Sequence, residues 1–399
     1  MIAQTTKPFA WSLAHLQNGK PWMAPAQSKP LRILMVTPRY FPMMGGVENH
    51  VYQVARRLAH AGVDITVLTT NPSKELPAYE KVEGVHIQRV RAWPSDRDYY
   101  FAPGIYNAIR QGEWDLMHLQ SYHTLVAPLA MMAAQLARMP YIVTFHGGGH
   151  SSTLRNRMRG AQQALLRPLL ARAQKLVAVA NFEINYYGSQ LRLAPERFAV
   201  IPNGCDLALP ESSATAETTP EAAKTIEILS VGRLEQYKGH HRILAAMPAI
   251  LAHYPTARLR ILGEGPYKTA LQQQAAALGV SEQVAIGGIP MAKRAQMAAT
   301  LAGATLVTLL SDYETHPIAA LEALALKRPV LVTNTSGLQE LAEQGLARSI
   351  GLESNPQEVA RAVIEQIRNP LIPERLDLPT WDDCARELLM LYRACTGRF

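Results

Sequence analysis

Glu314 and Glu322 stand eight positions apart in Ser-Asp-Tyr-Glu-Thr-His-Pro-Ile-Ala-Ala-Leu-Glu-Ala-Leu-Ala, residues 311–325. The segment reads as a strand end, a loop and a helix start. Two carboxylates flanking a helix N-terminus can accept hydrogen bonds from several hydroxyls of one polyol. The first-turn N–H groups and the positive end of the helix dipole suit a phosphate. A sugar nucleotide carries both kinds of group. Glu at this spacing is also common on solvated helices, so the substrate class depends on whether other segments supply cations, glycines and a reacting centre.

They do. Val-Gly-Arg-Leu-Glu-Gln-Tyr-Lys-Gly, residues 231–239, follows a strand and precedes a helix, so Arg233 and Lys238 can converge on a diphosphate. Arg offers a planar fork and Lys a point charge. Gly45-Gly46 open another helix and permit close backbone approach to a phosphate. They do not form a Gly-x-Gly-x-x-Gly fingerprint, which argues against a dehydrogenase. His146 precedes Gly147, Gly148 and Gly149 at a strand's carboxyl end, where it can bond a sugar hydroxyl or line a reacting centre; His150 is a weaker candidate. Asp96-Arg97-Asp98 reads as a polar surface loop, and no metal site is expected. Residues 151–182 carry Arg155, Arg157, Arg159, Arg167, Arg172 and Lys175 with no Asp or Glu. That stretch can lie on anionic lipid, or pack by its leucines with the arginines in solvent.

The elements that must position these groups alternate in type. Strands are expected at 31–37, 64–69, 85–90, 115–119, 141–145, 175–180 and 198–201, with helices between most of them, including 47–60. Fully apolar strands in β-α-β order imply a parallel sheet covered on both faces. Pro202-Asn203-Gly204 breaks the pattern, and Leu209–Lys224 reads as an exposed linker. The alternation restarts with strands at 226–231, 257–262, 283–287, 304–310, 329–333 and 347–350. Two doubly wound α/β domains follow: 31–202 with a returning helix within 380–399, and 203–379. Residues 1–30 read as an irregular extension. Ligands bind beyond the carboxyl ends of such strands, so two facing domains make a cleft for two substrates.

Together these segments resemble the retaining glycosyltransferases of the GT-B fold that carry an E-x7-E motif, a family-4-like pattern. The resemblance spans roughly residues 31–396. It rests on Gly45-Gly46-Val47-Glu48, Phe145-His146-Gly147, Val200–Gly204, Val231-Gly232-Arg233 with Lys238-Gly239, Leu262–Pro266 and Glu314 to Glu322. It implies a catalytic set of His146, Glu314, Arg233 and Lys238. Arg233 and Lys238 would hold the donor diphosphate, Glu314 the sugar hydroxyls, Glu322 the ribose, and His146 the reacting centre. The implied donor site also takes in Gly45, Gly46, Asn203, Gly288, His316, Pro317 and Ile318, with backbone around Gly288–Pro290 facing the base. This chain has His316-Pro317 where the family often has Phe-Gly, which removes one N–H donor.

The implied activity is retaining, metal-independent transfer of a hexose from a UDP- or GDP-linked donor to an acceptor hydroxyl of a glycan, glycolipid or small molecule. A non-catalytic sugar-nucleotide binder and a GT-B-fold epimerase or phosphorylase are the alternatives. The net charge of +8 is uneven: residues 1–200 hold 22 Lys and Arg against 11 Asp and Glu, and the rest 18 against 21. The basic half suits an anionic membrane surface, met through 151–175. No aromatic-basic motif points to nucleic acid. Three cysteines without metal spacing fit a reducing compartment. The expected location is cytoplasmic, with peripheral attachment at the inner membrane face.

Overall fold

The computed structural model describes residues 29–43, 45–73, 75–94, 100–147, 153–205, 225–290 and 293–398, with backbone alone for 153–159. The extension through residue 28, Asp96 and Asp98, Gly148 to His150, the stretch 209–224 and the side chains of Arg155, Arg157 and Arg159 lie outside the described residues.

Strands β1 (Arg32–Val36), β2 (Asp64–Asn71), β3 (Tyr79–Val82), β4 (Val85–Arg91), β5 (Leu116–Gln120), β6 (Tyr141–Thr144), β7 (Leu176–Ala178) and β8 (Phe198–Val200) form one sheet, ordered β3-β4-β2-β1-β5-β6-β7-β8. Helices α1 (Gly46–His60), α2 (Gly104–Gln111), α3 (Val126–Leu136), α4 (Thr153–Leu170) and α5 (Asn181–Leu191) connect them. The apolar strands work as alternation requires. Leu34 and Val36 enter one buried cluster with Met117, Leu119 and Val143, while Ile33 and Met35 enter the other with Leu116 and Ile142. The expectation of a wholly parallel sheet needs one correction. β3 pairs antiparallel with β4 at the edge. Its four residues are exposed or half-buried, so it lacks the apolar run that marks the other strands.

The second sheet orders β11 (Val284–Gly287), β10 (Arg258–Leu262), β9 (Glu227–Val231), β12 (Leu306–Leu309), β13 (Val330–Thr333) and β14 (Arg348–Ile350), all parallel. Its helices are α6 (His240–His253), α7 (Lys268–Ala277), α8 (Arg294–Ala302), α9 (Ile318–Ala325), α10 (Ser336–Glu343) and α11 (Pro356–Arg368). A last helix, α12 (Trp381–Thr396), begins at a capping box of Thr380 and Asp383 and returns to the first sheet. There Trp381, Cys384, Leu388 and Tyr392 pack with Val51, Val54 and Leu58 of α1. The Tyr392 hydroxyl lies 2.6 Å from His118 Nδ1. The chain therefore crosses between sheets twice, at adjacent points. Cys205 N–H donates to the Pro379 carbonyl at 2.9 Å, and a side chain at Gly204 would overlap the backbone of Trp381. Among the described residues, no helix is long and apolar enough to cross a membrane.

Candidate active site

The carboxyl ends of β9 and β12 deliver the loops that carry Arg233, Lys238 and Glu314. Lys238 Nζ is ion-paired to Glu314 Oε2, with both side chains largely shielded. Burial pulls the Lys238 ammonium down, but the Glu314 carboxylate more than offsets this, and the net shift is upward. Lys238 is therefore a fixed cation. Arg233 stands beside it, its side chain 54% exposed and 3.3 Å from Glu235. The backbone of Glu314 is gripped from α10: its N–H donates to Ser336 Oγ at 2.8 Å, and its carbonyl accepts from Gly337 N–H at 2.8 Å. A side chain at Gly337 would overlap the Thr315 carbonyl, so only glycine lets α10 come this close.

Helix α9 starts just after Pro317, which stands ahead of the first turn rather than within it. Its first intrahelical bond runs from Ala320 N–H to the Pro317 carbonyl at 2.9 Å. The N–H groups of Ile318 and Ala319 precede that bond, as at any helix start. Glu322 lies further along α9, buried, with Oε1 2.5 Å from Arg294 Nη2 on α8. Burial raises its pKa while Arg294 works against the rise. The two carboxylates thus face different cations. Arg294 was not among the expected site residues, although its place at a helix start after a strand was the available signal. Gly288 N–H donates to Glu264 Oε1 at 3.1 Å.

Across from this wall, Gly45 is extended before α1 and Gly46 is its exposed first residue. A methyl group at Gly46 would meet nothing within 4 Å. His146 continues β6 and pairs Nε2 with Gln120 Oε1 at 2.7 Å. Its ring lies 4.8 Å from that of His50 on α1. Burial holds His146 well below the usual imidazole range, helped by His50, His118 and His123, so it is neutral. It can exchange hydrogen bonds with a sugar but supplies no positive charge. Asn203 is buried, with Oδ1 2.7 Å from His50 Nδ1.

The walls meet. Gly147 adopts φ +64°, and any side chain there would overlap Thr315 Oγ1 from the opposite domain. Phe182 and Tyr313 bring their rings to 5.9 Å across the same seam. Burial depresses His316 to about 4, with His50 of the first domain contributing. Sequence reasoning passed over Glu183, fully buried in the first turn of α5. Its Oε2 accepts from Val179 N–H at 2.8 Å, and burial pushes its carboxyl up to about 8.

The basic stretch is divided by the fold, because α4 ends at Leu170 and the chain enters β7 at Leu176. Arg167 Nε donates to the Leu191 carbonyl at 2.7 Å, Arg172 to Gln135 at 2.7 Å, and Lys175 to the Glu196 carbonyl at 2.6 Å. Leu166 and Leu170 are buried, whereas Leu165 is 78% exposed. Among the described residues, no group of three or more His, Cys, Asp and Glu is placed to hold a metal.

Comparison with known proteins agrees with this architecture. The family model described as Glycosyltransferase Family 4 matches residues 44–209, and that described as Glycosyl transferases group 1 matches 213–378. A glycogen synthase of Mycobacterium tuberculosis is 30% identical over 363 residues, covering 83% of this chain and 84% of that one. The sucrose-phosphate synthase of Thermosynechococcus elongatus superposes with a TM-score of 0.76 at 19% identity, over 92% of this chain and 100% of that one. The Anabaena protein HepE, solved in complex with UDP-glucose, gives 0.66 at 18% identity, over 92% and 97%. The chain belongs to the GT-B-fold glycosyltransferases of the family-4 and group-1 type.

Proposed function

We propose that the protein is a retaining, metal-independent hexosyltransferase using a UDP- or GDP-linked sugar and an acceptor hydroxyl on a glycan, glycolipid or small molecule. The observation that carries this reading is the shielded Lys238–Glu314 pair beside Arg233, next to the start of α9. Breaking the anomeric carbon–oxygen bond builds positive charge on the sugar and negative charge on the departing diphosphate. Lys238, Arg233 and the first N–H groups of α9 address the diphosphate, each such fixed donor being worth roughly 3 kcal/mol. Glu314 is suited to the sugar hydroxyls and Glu322 to the ribose. Neutral His146 is suited to a hydroxyl near the reacting carbon. The acceptor oxygen attacks the face from which the diphosphate leaves, and a departing phosphate oxygen takes the acceptor proton. The glycogen synthase relative makes a glycan the first acceptor to assay. A cytoplasmic site with the exposed part of α4 against anionic lipid completes the proposal.

A thermal-shift screen with UDP-, GDP- and ADP-sugars identifies the donor, and transfer is then assayed with Arg233→Ala and Glu314→Ala. Each substitution is expected to cut turnover at least a hundredfold while the protein stays folded. Near-normal turnover in both sinks the assignment. Sugar phosphate released with inorganic phosphate indicates a phosphorylase instead, and nucleotide binding with no diphosphate release under any acceptor indicates a binder. Flotation with anionic liposomes tests the membrane contact; no binding at low salt removes it.

A further inference from the structure

We propose that His240 is a positioning residue that holds the Arg233 backbone so that its guanidinium can meet the donor diphosphate. This rests on the assignment of Arg233 given above and adds a residue to it. His240 is the first residue of α6 and is 1% exposed. It is placed there by Gly239, whose φ of +71° no ordinary residue adopts cheaply and whose side chain would overlap the Leu310 carbonyl. The imidazole lies beneath the phosphate loop: a methyl group at Gly232 would sit 3.7 Å from both the His240 ring and Lys238 Cδ.

The hydrogen bonds fix its tautomer. Nε2 is 3.1 Å from the Arg233 carbonyl, which can only accept, so Nε2 carries the proton. Nδ1 then presents a lone pair, and buried Ser230 Oγ, at 2.8 Å, donates to it. The Arg233 carbonyl also accepts from Glu235 N–H at 2.8 Å. It is thus held from two directions while the side chain beyond it stays in solvent. Burial holds His240 neutral, at about 4; the Arg233 carbonyl opposes the shift and the neighbouring Lys238 ammonium reinforces it. The Nε2–H tautomer therefore persists across the neutral range.

Titration calorimetry with UDP, GDP and ADP tests the idea in the full-length protein. A glutamine at 240 can place an N–H where Nε2 stands, whereas an asparagine is too short. His240→Ala and His240→Asn are expected to weaken the bound diphosphate about tenfold, the size of one lost hydrogen bond. His240→Gln is expected to stay within about twofold of wild type. Added to Arg233→Ala, the His240→Ala change is expected to cost nothing further, because the positioned group is already gone. A purely structural histidine would instead lower melting temperature without this coupling. Full additivity in the double variant, wild-type binding in His240→Ala, or a Gln variant as weak as Asn overturns the role. Absence of diphosphate binding by wild type overturns the donor assignment and this inference together. Binding by wild type that Arg233→Ala leaves intact overturns the Arg233 assignment first.

Discussion

At the scale of single residues, the fold shifts charges in opposing directions. Glu183, removed from water, keeps its proton up to about pH 8. An unfolded chain would lose that proton near the ordinary carboxyl value, so folding stability falls as pH rises from about 4.5 to about 8. His50 and His240 act the other way, both held near 4 by burial. Below about 6.5 the unfolded chain protonates them while the folded chain does not, so their share of stability falls as pH drops through that window. The trends oppose each other between about 4.5 and 6.5, and above it only Glu183 of these three still titrates. Wild type is therefore expected to lose on the order of 2 kcal/mol between pH 6.5 and 8. Glu183→Gln, which keeps an oxygen for Val179 N–H, should not. Denaturant titrations of both proteins at the two pH values decide it, and an equal loss in both would discard the assignment. Sequence reading could not have found this group. Asn-Phe-Glu at a helix start looks like an ordinary solvated first turn, and only the tertiary packing removes its water. That Arg233, Lys238 and Glu314 share one wall was legible, because each falls in a loop after an apolar strand and such loops gather at the carboxyl end of a parallel sheet.

At the scale of elements, helix starts do most of the positioning, and glycine decides how close each comes. Gly337 and Gly147 are fixed by contact: side chains there would strike the Thr315 carbonyl and hydroxyl. Gly46 is different, since a methyl group there has open space. As the first residue of α1 it would be replaced without strain, and Ala favours a helix over Gly by up to about 1 kcal/mol. Gly46→Ala is therefore expected to melt at or slightly above the wild-type temperature. If the diphosphate approaches this N-terminus, the same methyl group should cut donor kcat/KM about tenfold or more. Unchanged kinetics would mean that no phosphate comes near α1. The order and type of most elements could be read from the alternation of apolar strands and amphipathic helices, because a sheet buried on both faces leaves an unmistakable run such as Ile33–Val36. β3 could not, since an exposed edge strand held mainly by backbone bonds carries no such run.

At the scale of the whole molecule, the two domains are tied by a carboxylate. Helix α5 begins after Ala180, which has no side chain able to cap it. Glu340, on α10 of the other domain, accepts from Asn181 N–H at 3.3 Å and Phe182 N–H at 2.5 Å. The contacts of Phe182 with Tyr313 and of Gly147 with Thr315 lie along the same seam. Two domains and a returning helix were foreseeable from the restart of the strand pattern and from Pro379 before an amphipathic stretch. The tie was not, because Glu340 in Leu-Gln-Glu-Leu-Ala reads as a solvated helix position until its partner domain is in place. A charge-assisted bond of this kind is worth about 1.5–3 kcal/mol, enough to shift the balance between closed and parted arrangements of the two domains. Glu340→Ala removes the acceptor that holds the α5 N–H groups to α10 and so loosens the seam. Small-angle scattering of this variant should give a larger radius of gyration than wild type, and its KM for donor should rise. Glu340→Gln, which still offers a carbonyl oxygen, should fall between the two. Identical scattering from all three proteins would show that the seam is held elsewhere, with Gly147 against Thr315 the next contact to break.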